Sequence, residues 1–397
     1  MNRKMRLLGT TFALALAACC PIWAADAAAP VAAAVRQVEQ YNFSIHILAM
    51  LLVGFGFLMV FVRNYGYSAT TGTYLVVAVG IPLYMLLRAT GLISVGAMAP
   101  NTIHVLLLAE FACAAGLIAM GAVLSRLRLF QYVMLAALLV PAYMLNEWLV
   151  LDGGLGVTKG FVDAAGSVTI HAFGAYFGLG LAMGIPHSRY QDQPAVESDA
   201  TSDRFSMLGS MVLWIFWPSF CSAMVAPEQM PQTVVNTILA LCGATLATYG
   251  VSALFRRGKP TFADIANASL AGGVSIGATC NLVSAPGAFG LGLAAGALCV
   301  AGYILVQPRL QSALGIVDTC GVHNLHGMPG LLGGLLAIAV VPGYAVAQLS
   351  GILITVVLAL ACGVVAGLVI RATGEKKPAY GDADEFAGTE WTSPVLR

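Results

Sequence analysis

The sequence predicts an all-α polytopic membrane protein of eleven transmembrane helices, arranged as two inverted five-helix repeats plus one extra helix. Three observations carry that reading. Of 397 residues, 59% are hydrophobic and 9% charged, a balance that a water-soluble domain with its charged surface does not show. Apolar runs recur between polar breaks near 41–62, 69–92, 102–124, 130–151, 163–185, 205–226, 232–255, 262–280, 286–306, 318–341 and 345–371. Each approaches the ~20 residues that cross a ~30 Å hydrocarbon core. Threaded with the N-terminus outside, the chain puts Arg63, Arg126, Arg128, Arg189, Arg204, Arg256, Arg257, Lys259, Arg309, Arg371, Lys376 and Lys377 on one side. The other side receives little beyond Arg36 and Lys159, with Arg88 close to the outer end of its helix. The positive-inside rule then sets the N-terminus outside and the C-terminus in the cytoplasm of an inner (plasma) membrane protein.

The flanks read differently. Arg3, Lys4 and Arg6 before the apolar run Leu7 to Ala18 have the layout of a signal peptide over 1–24, cleaved after Ala24 or Ala27. A lipoprotein-type site at Leu16-Ala17-Ala18-Cys19 and an uncleaved anchor are the rival readings. The body spans 38–373, and the tail 374–397 is polar and acidic with no apolar pattern. Seven of the nine cysteines are scattered inside apolar segments without a C-x-x-C pair, so they read as small core residues. A net charge of +1 with no basic block excludes nucleic acid as a partner.

The longest interior loop, Pro186 to Asp203, splits ten helices into two sets of five. An odd number of helices per half turns the second half over, the arrangement of inverted-repeat transporters with sites at the repeat interface. A sequence echo falls where that arrangement needs it. Asp163-Ala-Ala-Gly166-Ser-Val-Thr-Ile-His171 opens helix five and Asp318-Thr-Cys-Gly321-Val-His-Asn-Leu-His326 opens helix ten. Both read D-x-x-G-x-x-x-x-H, entering from opposite faces. Eight residues of α-helix carry each histidine about 12 Å inward, so the two are expected to meet at the midplane. The aspartates read as helix N-caps. Gly174, Gly178, Gly180 and Gly184, with Gly327, Gly330, Gly333 and Gly334, let these backbones approach neighbours.

These residues resemble the ammonium transporter and Rhesus (Rh) superfamily. The segments FVDAAGSVTIHAFGAYFGL and DTCGVHNLHGMPG resemble its Rh branch, as do AEFACAAGLIAMGAVLSRLR, NEW and LWIFWPSFCSA. The resemblance implies a homotrimer with a pore in each protomer, conducting ammonia or ammonium and accepting methylammonium, without a cofactor. It implies His171 and His326 as twin pore histidines and Phe111 and Phe220 as a stacked phenyl gate. Asp163, Asp318, Glu147 and Trp217 are then structural or vestibule residues. Two departures stand out: Leu151 and Met224 occupy the places of the outer Trp and Ser of the ammonium-transporter branch, so high-affinity cation recruitment is expected to be weak. Cys221 stands where an asparagine is common.

Three other readings use the same residues. A carbon dioxide channel, proposed for the Rh branch, shares every feature. An intramembrane metal enzyme or metal transporter would use His323 and His326, three apart, with His171, but lacks a thiolate or carboxylate within reach. A sensor role would rest on the acidic tail alone. No catalytic residue is expected. Glu110, Glu147 and Asp264 are acids in or near apolar spans and are expected to be paired, because an unpaired charge there is costly; Glu147 could also lend negative potential to the outer mouth.

Overall fold

The computed structural model describes residues 31–93, 98–99, 102–185, 196–376 and 379–387. The predicted signal peptide and its cleavage sites lie outside the described residues. The chain divides after Glu39. The first unit holds the start of α1 (Val31–Ala49), with an Arg36–Glu39 ion pair at 3.6 Å. Everything below belongs to the second unit, Gln40–Arg397.

After a π-helical turn at Met50–Phe55 come α2 (Gly66–Thr90), α3 (Ile103–Ala122), α4 (Leu129–Val150), a π-turn at Ser167–Ala172, α5 (Phe173–Gly184), α6 (Ala200–Ser222) and α7 (Met230–Phe255). The remainder is α8 (Phe262–Ala268), α9 (Ala271–Ile276), α10 (Ala285–Ala301), a π-turn at Gly302–Val306, α11 (Gln307–Leu314), a π-turn at His323–Gly327, α12 (Met328–Val340) and α13 (Ala345–Arg371). Among the described residues there is no strand, and nine helices are long and apolar enough to cross a membrane. This is a multi-pass, all-helical membrane protein.

The other two predicted spans are 262–280, which is interrupted, and 318–341, which is helical only from His323 to Val340. In the first, Ser269 Oγ donates to the Ile265 carbonyl at 2.6 Å, a back-bond that bends helices, and the segment splits into α8 and α9. Helices five and ten do not begin at their aspartates: helical structure starts at Ser167 and His323. The cause is Gly166 and Gly321, with φ of 73° and 68°, a left-handed conformation that costs any residue with a Cβ and stops a right-handed helix.

Close backbone packing holds the bundle. A Cβ at Gly363 on α13 would lie 2.2 Å from the Phe177 carbonyl oxygen on α5, so glycine is required for that approach. The described part of the acidic tail, residues 379–387, is packed against the bundle. Asp382 accepts from the amides of Tyr67 at 3.0 Å and Ser68 at 2.8 Å, and Glu385 accepts from the Leu129 amide at 3.2 Å. Both acids thus cap helices, α2 and α4, whose own N-cap residues are Tyr65 and Arg128.

Candidate functional site: paired histidines between two half-buried turns

Each D-x-x-G turn presents its carboxylate to the first amides of the segment that follows. Asp163 accepts from the Val168 amide at 3.1 Å, the Thr169 amide at 2.8 Å and the Thr169 hydroxyl at 2.8 Å. Asp318 accepts from the Val322 amide at 2.9 Å and the His323 amide at 3.1 Å. The expected caps are therefore present, bent back by the left-handed glycines onto amides four to six residues ahead. Buried carboxylates in such positions satisfy donors that no helix turn reaches.

The Asp163 turn is held by its neighbours. Ser167 Oγ donates to the Val274 carbonyl at 2.6 Å and accepts from the Ala278 amide at 2.7 Å. Gln348 on α13 accepts from the Val162 amide at 2.9 Å and donates to its carbonyl at 3.0 Å. The Asp318 turn is held against the end of α3: the Thr319 and Cys320 amides donate to the carbonyls of Ala122 and Gly121, each at 3.1 Å.

Both histidines fall inside the π-turns and meet. Their Nδ1 atoms are 3.2 Å apart and the rings lie 9° from parallel with centroids 5.3 Å apart. A bond between two Nδ1 atoms needs one donor and one acceptor, so at least one ring is neutral. If both are, one ring keeps an Nε2 acceptor and the other an Nε2–H donor. His171 Nε2 is buried without a protein partner.

The pair sits in a column of rings. Trp217 stacks on His171 with centroids 5.6 Å apart and planes at 18°, and Phe55 stacks on His326 at 6.2 Å and 25°. Trp217, expected in a structural or vestibule role, is thus packed on the central ring. Phe55 was not singled out from the sequence, where one phenylalanine in an apolar run carries no signal. Phe111 and Phe220 are in contact at 4.8 Å but at 64°, edge to face rather than stacked, the geometry that ring quadrupoles favour. Phe220 lies 5.8 Å from His171, so the phenyl pair and this histidine are neighbours.

Against His326 lies a cavity of about 20 Å³ walled by Phe55, Leu117, Ile118 and Leu325, room for one molecule the size of water. Phe61, Asn267 and Cys320 separate it from a cavity of about 590 Å³ whose walls include Gln307, Gln311, Asp318 and Tyr380. The lining becomes more polar there. His323 turns elsewhere, its ring edge-on to Tyr176 at 5.7 Å. Among the described residues no cluster of three or more His, Cys, Asp or Glu is placed to hold a metal ion.

Of the three outlying acids Asp264 is ion-paired, with Arg256 donating to both its oxygens at 2.7 and 3.0 Å. The other two are held by hydroxyls: Tyr84 Oη donates to Glu147 at 2.7 Å and Ser44 Oγ to Glu110 at 2.6 Å, while Glu110 Oε2 is buried without a hydrogen-bond partner.

A multi-pass helical protein with two inward turns that join at a buried histidine pair is the class defined by this fold and site. The sequence model of the Ammonium Transporter Family matches residues 32–376, and the chain belongs to that family. It is 40% identical over 312 residues to the Ammonium transporter Rh type B of Xenopus tropicalis, covering 76% of this chain and 65% of that protein. The chain therefore spans just under two thirds of that relative. The Oryctolagus cuniculus protein of the same name is 39% identical over 359 residues, covering 81% of this chain and 76% of the relative. The solved structure of Nitrosomonas europaea Rh50, described with the mechanism of conduction by the Rhesus protein family of channels, matches with a TM-score of 0.88 and 64% identity over 89% of this chain and 93% of that one. Saccharomyces cerevisiae Mep2 matches with a TM-score of 0.68 at 19% identity over 85% of this chain and 84% of that one, which reports the fold alone.

Proposed function

We propose that the chain is an Rh-type ammonia channel whose path runs past Phe111 and Phe220, along His171 and His326, and out through the inner cavity. The single observation that carries this is the 3.2 Å contact between the two buried imidazoles in a chain of the Ammonium Transporter Family. An ammonium ion taken into an apolar lumen loses hydration worth many kcal/mol, whereas neutral ammonia loses a few hydrogen bonds. Ammonia both donates and accepts, and so does a neutral imidazole pair. The proton is shed at the outer mouth, where Leu151 and Met224 offer neither an aromatic face nor a hydroxyl to a cation. Carbon dioxide has no hydrogen to donate, so it would leave the acceptor nitrogen of the pair unused; methylammonium, as methylamine, would use both.

The same reading takes the segments 262–280 and 318–341 as crossings too, which gives eleven, in two inverted sets of five plus α13. It sets the N-terminus outside and the C-terminus in the cytoplasm of the inner membrane. It also takes the assembly as a homotrimer with one path per protomer. Replacing His171 and His326 together by alanine is expected to impair ammonia and methylamine conductance in proteoliposomes while the assembly persists. Stopped-flow measurement with each gas checks this, and unchanged flux and selectivity would remove the role given to the pair.

A further inference from the structure

The segment 318–322 lies between two helical pieces, so its backbone groups cannot all be paired within a helix and need partners from neighbours. Several come from one strip of side chains on the Gly302–Val306 π-turn and α11. Tyr303 Oη donates to the Cys320 carbonyl at 2.9 Å, Gln307 Nε2 donates to the Asp318 carbonyl at 3.0 Å, and Gln311 Oε1 accepts from the Asp318 amide at 2.8 Å. Gln307 has a second bond: its Oε1 accepts from Asn324 Nδ2 at 2.9 Å. The orientation follows from chemistry, because a carbonyl only accepts and so draws the NH2 of Gln307, leaving its oxygen for Asn324.

Asn324 is fully buried and stands two residues before His326 in the same π-turn. Positions two apart on a helical turn point to nearly opposite sides. A bond at Asn324 therefore anchors the back of the turn whose front carries His326. Space is reserved for it: a Cβ at Gly302 would lie 2.9 Å from Asn324 Oδ1, and one at Gly321 would lie 3.0 Å from its Nδ2. At the other histidine the matching position is Thr169, two residues before His171, whose hydroxyl donates to Asp163 at 2.8 Å, so that turn is anchored within its own motif, whereas Asn324 is anchored to a separate helix.

We infer that Gln307 and Asn324 form an amide clamp that positions His326 against His171, and through that ring sets how well the path discriminates ammonia from methylamine. The inference rests on the ammonia-channel reading above. Asn324 lies behind the histidine, and Gln307, although it forms part of the wall of the inner cavity, is assigned its effect on selectivity through the bond behind His326; a ring displaced by a fraction of an ångström no longer matches a small substrate.

The test is a double-mutant cycle in proteoliposomes, with ammonia and methylamine permeabilities measured by stopped flow. Gln307→Leu is expected to lower ammonia permeability about tenfold and to shrink the ammonia-to-methylamine ratio. In a His326→Ala background the same change is expected to add nothing to either quantity. If Gln307→Leu does not yield folded protein, Gln307→Met, which keeps the length and removes both bonds, is read in the same way. An equal loss in both backgrounds would mean that the glutamine supports the bundle and not the ring, and would overturn the clamp. So would an unchanged flux and ratio in the parent. If His326→Ala itself changes nothing, the role of the histidine pair fails first, and the clamp fails with it.

Discussion

The Nδ1 atoms of His171 and His326 lie 3.2 Å apart, although the two residues are 155 positions apart in the chain. Neither residue reaches the other by its own helix. Each is carried on a π-turn that starts just past a left-handed glycine, and each of those turns is capped by the aspartate that precedes the glycine. The motif is thus a device for beginning a helix inside the membrane with its first amides satisfied. Trp217 and Phe55 close the two ends of the stack, so the rings have little freedom to tilt. Four expectations follow from this arrangement.

Phe220→Ala removes a ring that touches Phe111, His171 and Trp217. Loss of a buried phenylalanine costs about 3–5 kcal/mol, and the gap opens the apolar barrier above the histidine. Osmotic water permeability of proteoliposomes should rise while ammonia still passes. A variant as water-tight as the parent would count against a gate at this pair.

Asp163→Ala leaves the Val168 and Thr169 amides and the Thr169 hydroxyl without their acceptor. Each buried orphan costs about 1–3 kcal/mol. The melting temperature in detergent should fall by several degrees, and Asp163→Asn, which keeps an acceptor oxygen, should fall less. Equal melting of all three proteins would contradict the capping role.

Gly330→Ala would place a Cβ 2.3 Å from the Ser167 carbonyl oxygen, at the base of the turn that bears His171. Overpacking of this kind costs about 1–3 kcal/mol and should lower both stability and ammonia flux. Gly290→Ala, where nothing lies within 4 Å, should be neutral or slightly stabilising through helix propensity. The comparison fails if the two variants melt alike.

Asp382→Ala strips the cap from the Tyr67 and Ser68 amides. A lost cap costs about 0.5–2 kcal/mol, and here it also releases the tail. Limited proteolysis should cut the variant near residues 379–387 well before the parent. If digestion proceeds at the same rate, the tail is held by other contacts, such as the Lys376–Glu385 ion pair at 3.7 Å.

Much of the site was legible because its signals are chemical and repeated. Two histidines at one offset from two aspartates, in runs with almost no charge, stand out against an apolar background. The glycine of the motif was read only as part of the pattern, since a left-handed φ has no signature beyond the residue type itself. Taking α-helix from each aspartate therefore missed that helical structure starts only at Ser167 and His323. Phe55 and the Gln307–Asn324 bond were invisible, because a ring or an amide in an apolar run is ordinary until its partner is known. The tail misled in the other direction. Its acidity looked like solvated polarity, but Asp382 and Glu385 serve α2 and α4, helices that begin far away in the chain.

Composition, apolar periodicity and the placement of basic residues were enough to determine a multi-pass helical bundle and its predicted threading, because lipid leaves a chain few ways to satisfy its backbone. The doubled motif was enough to nominate His171, His326, Asp163 and Asp318. Only the tertiary structure decided that the two rings face each other 3.2 Å apart, that the Phe111 and Phe220 rings meet edge to face, that the span 262–280 is interrupted and that the helix after Asp318 starts only at His323. Those are properties of contacts between segments far apart in sequence. Local propensity does not encode them; close packing of glycines against carbonyls and the pairing of buried polar groups do.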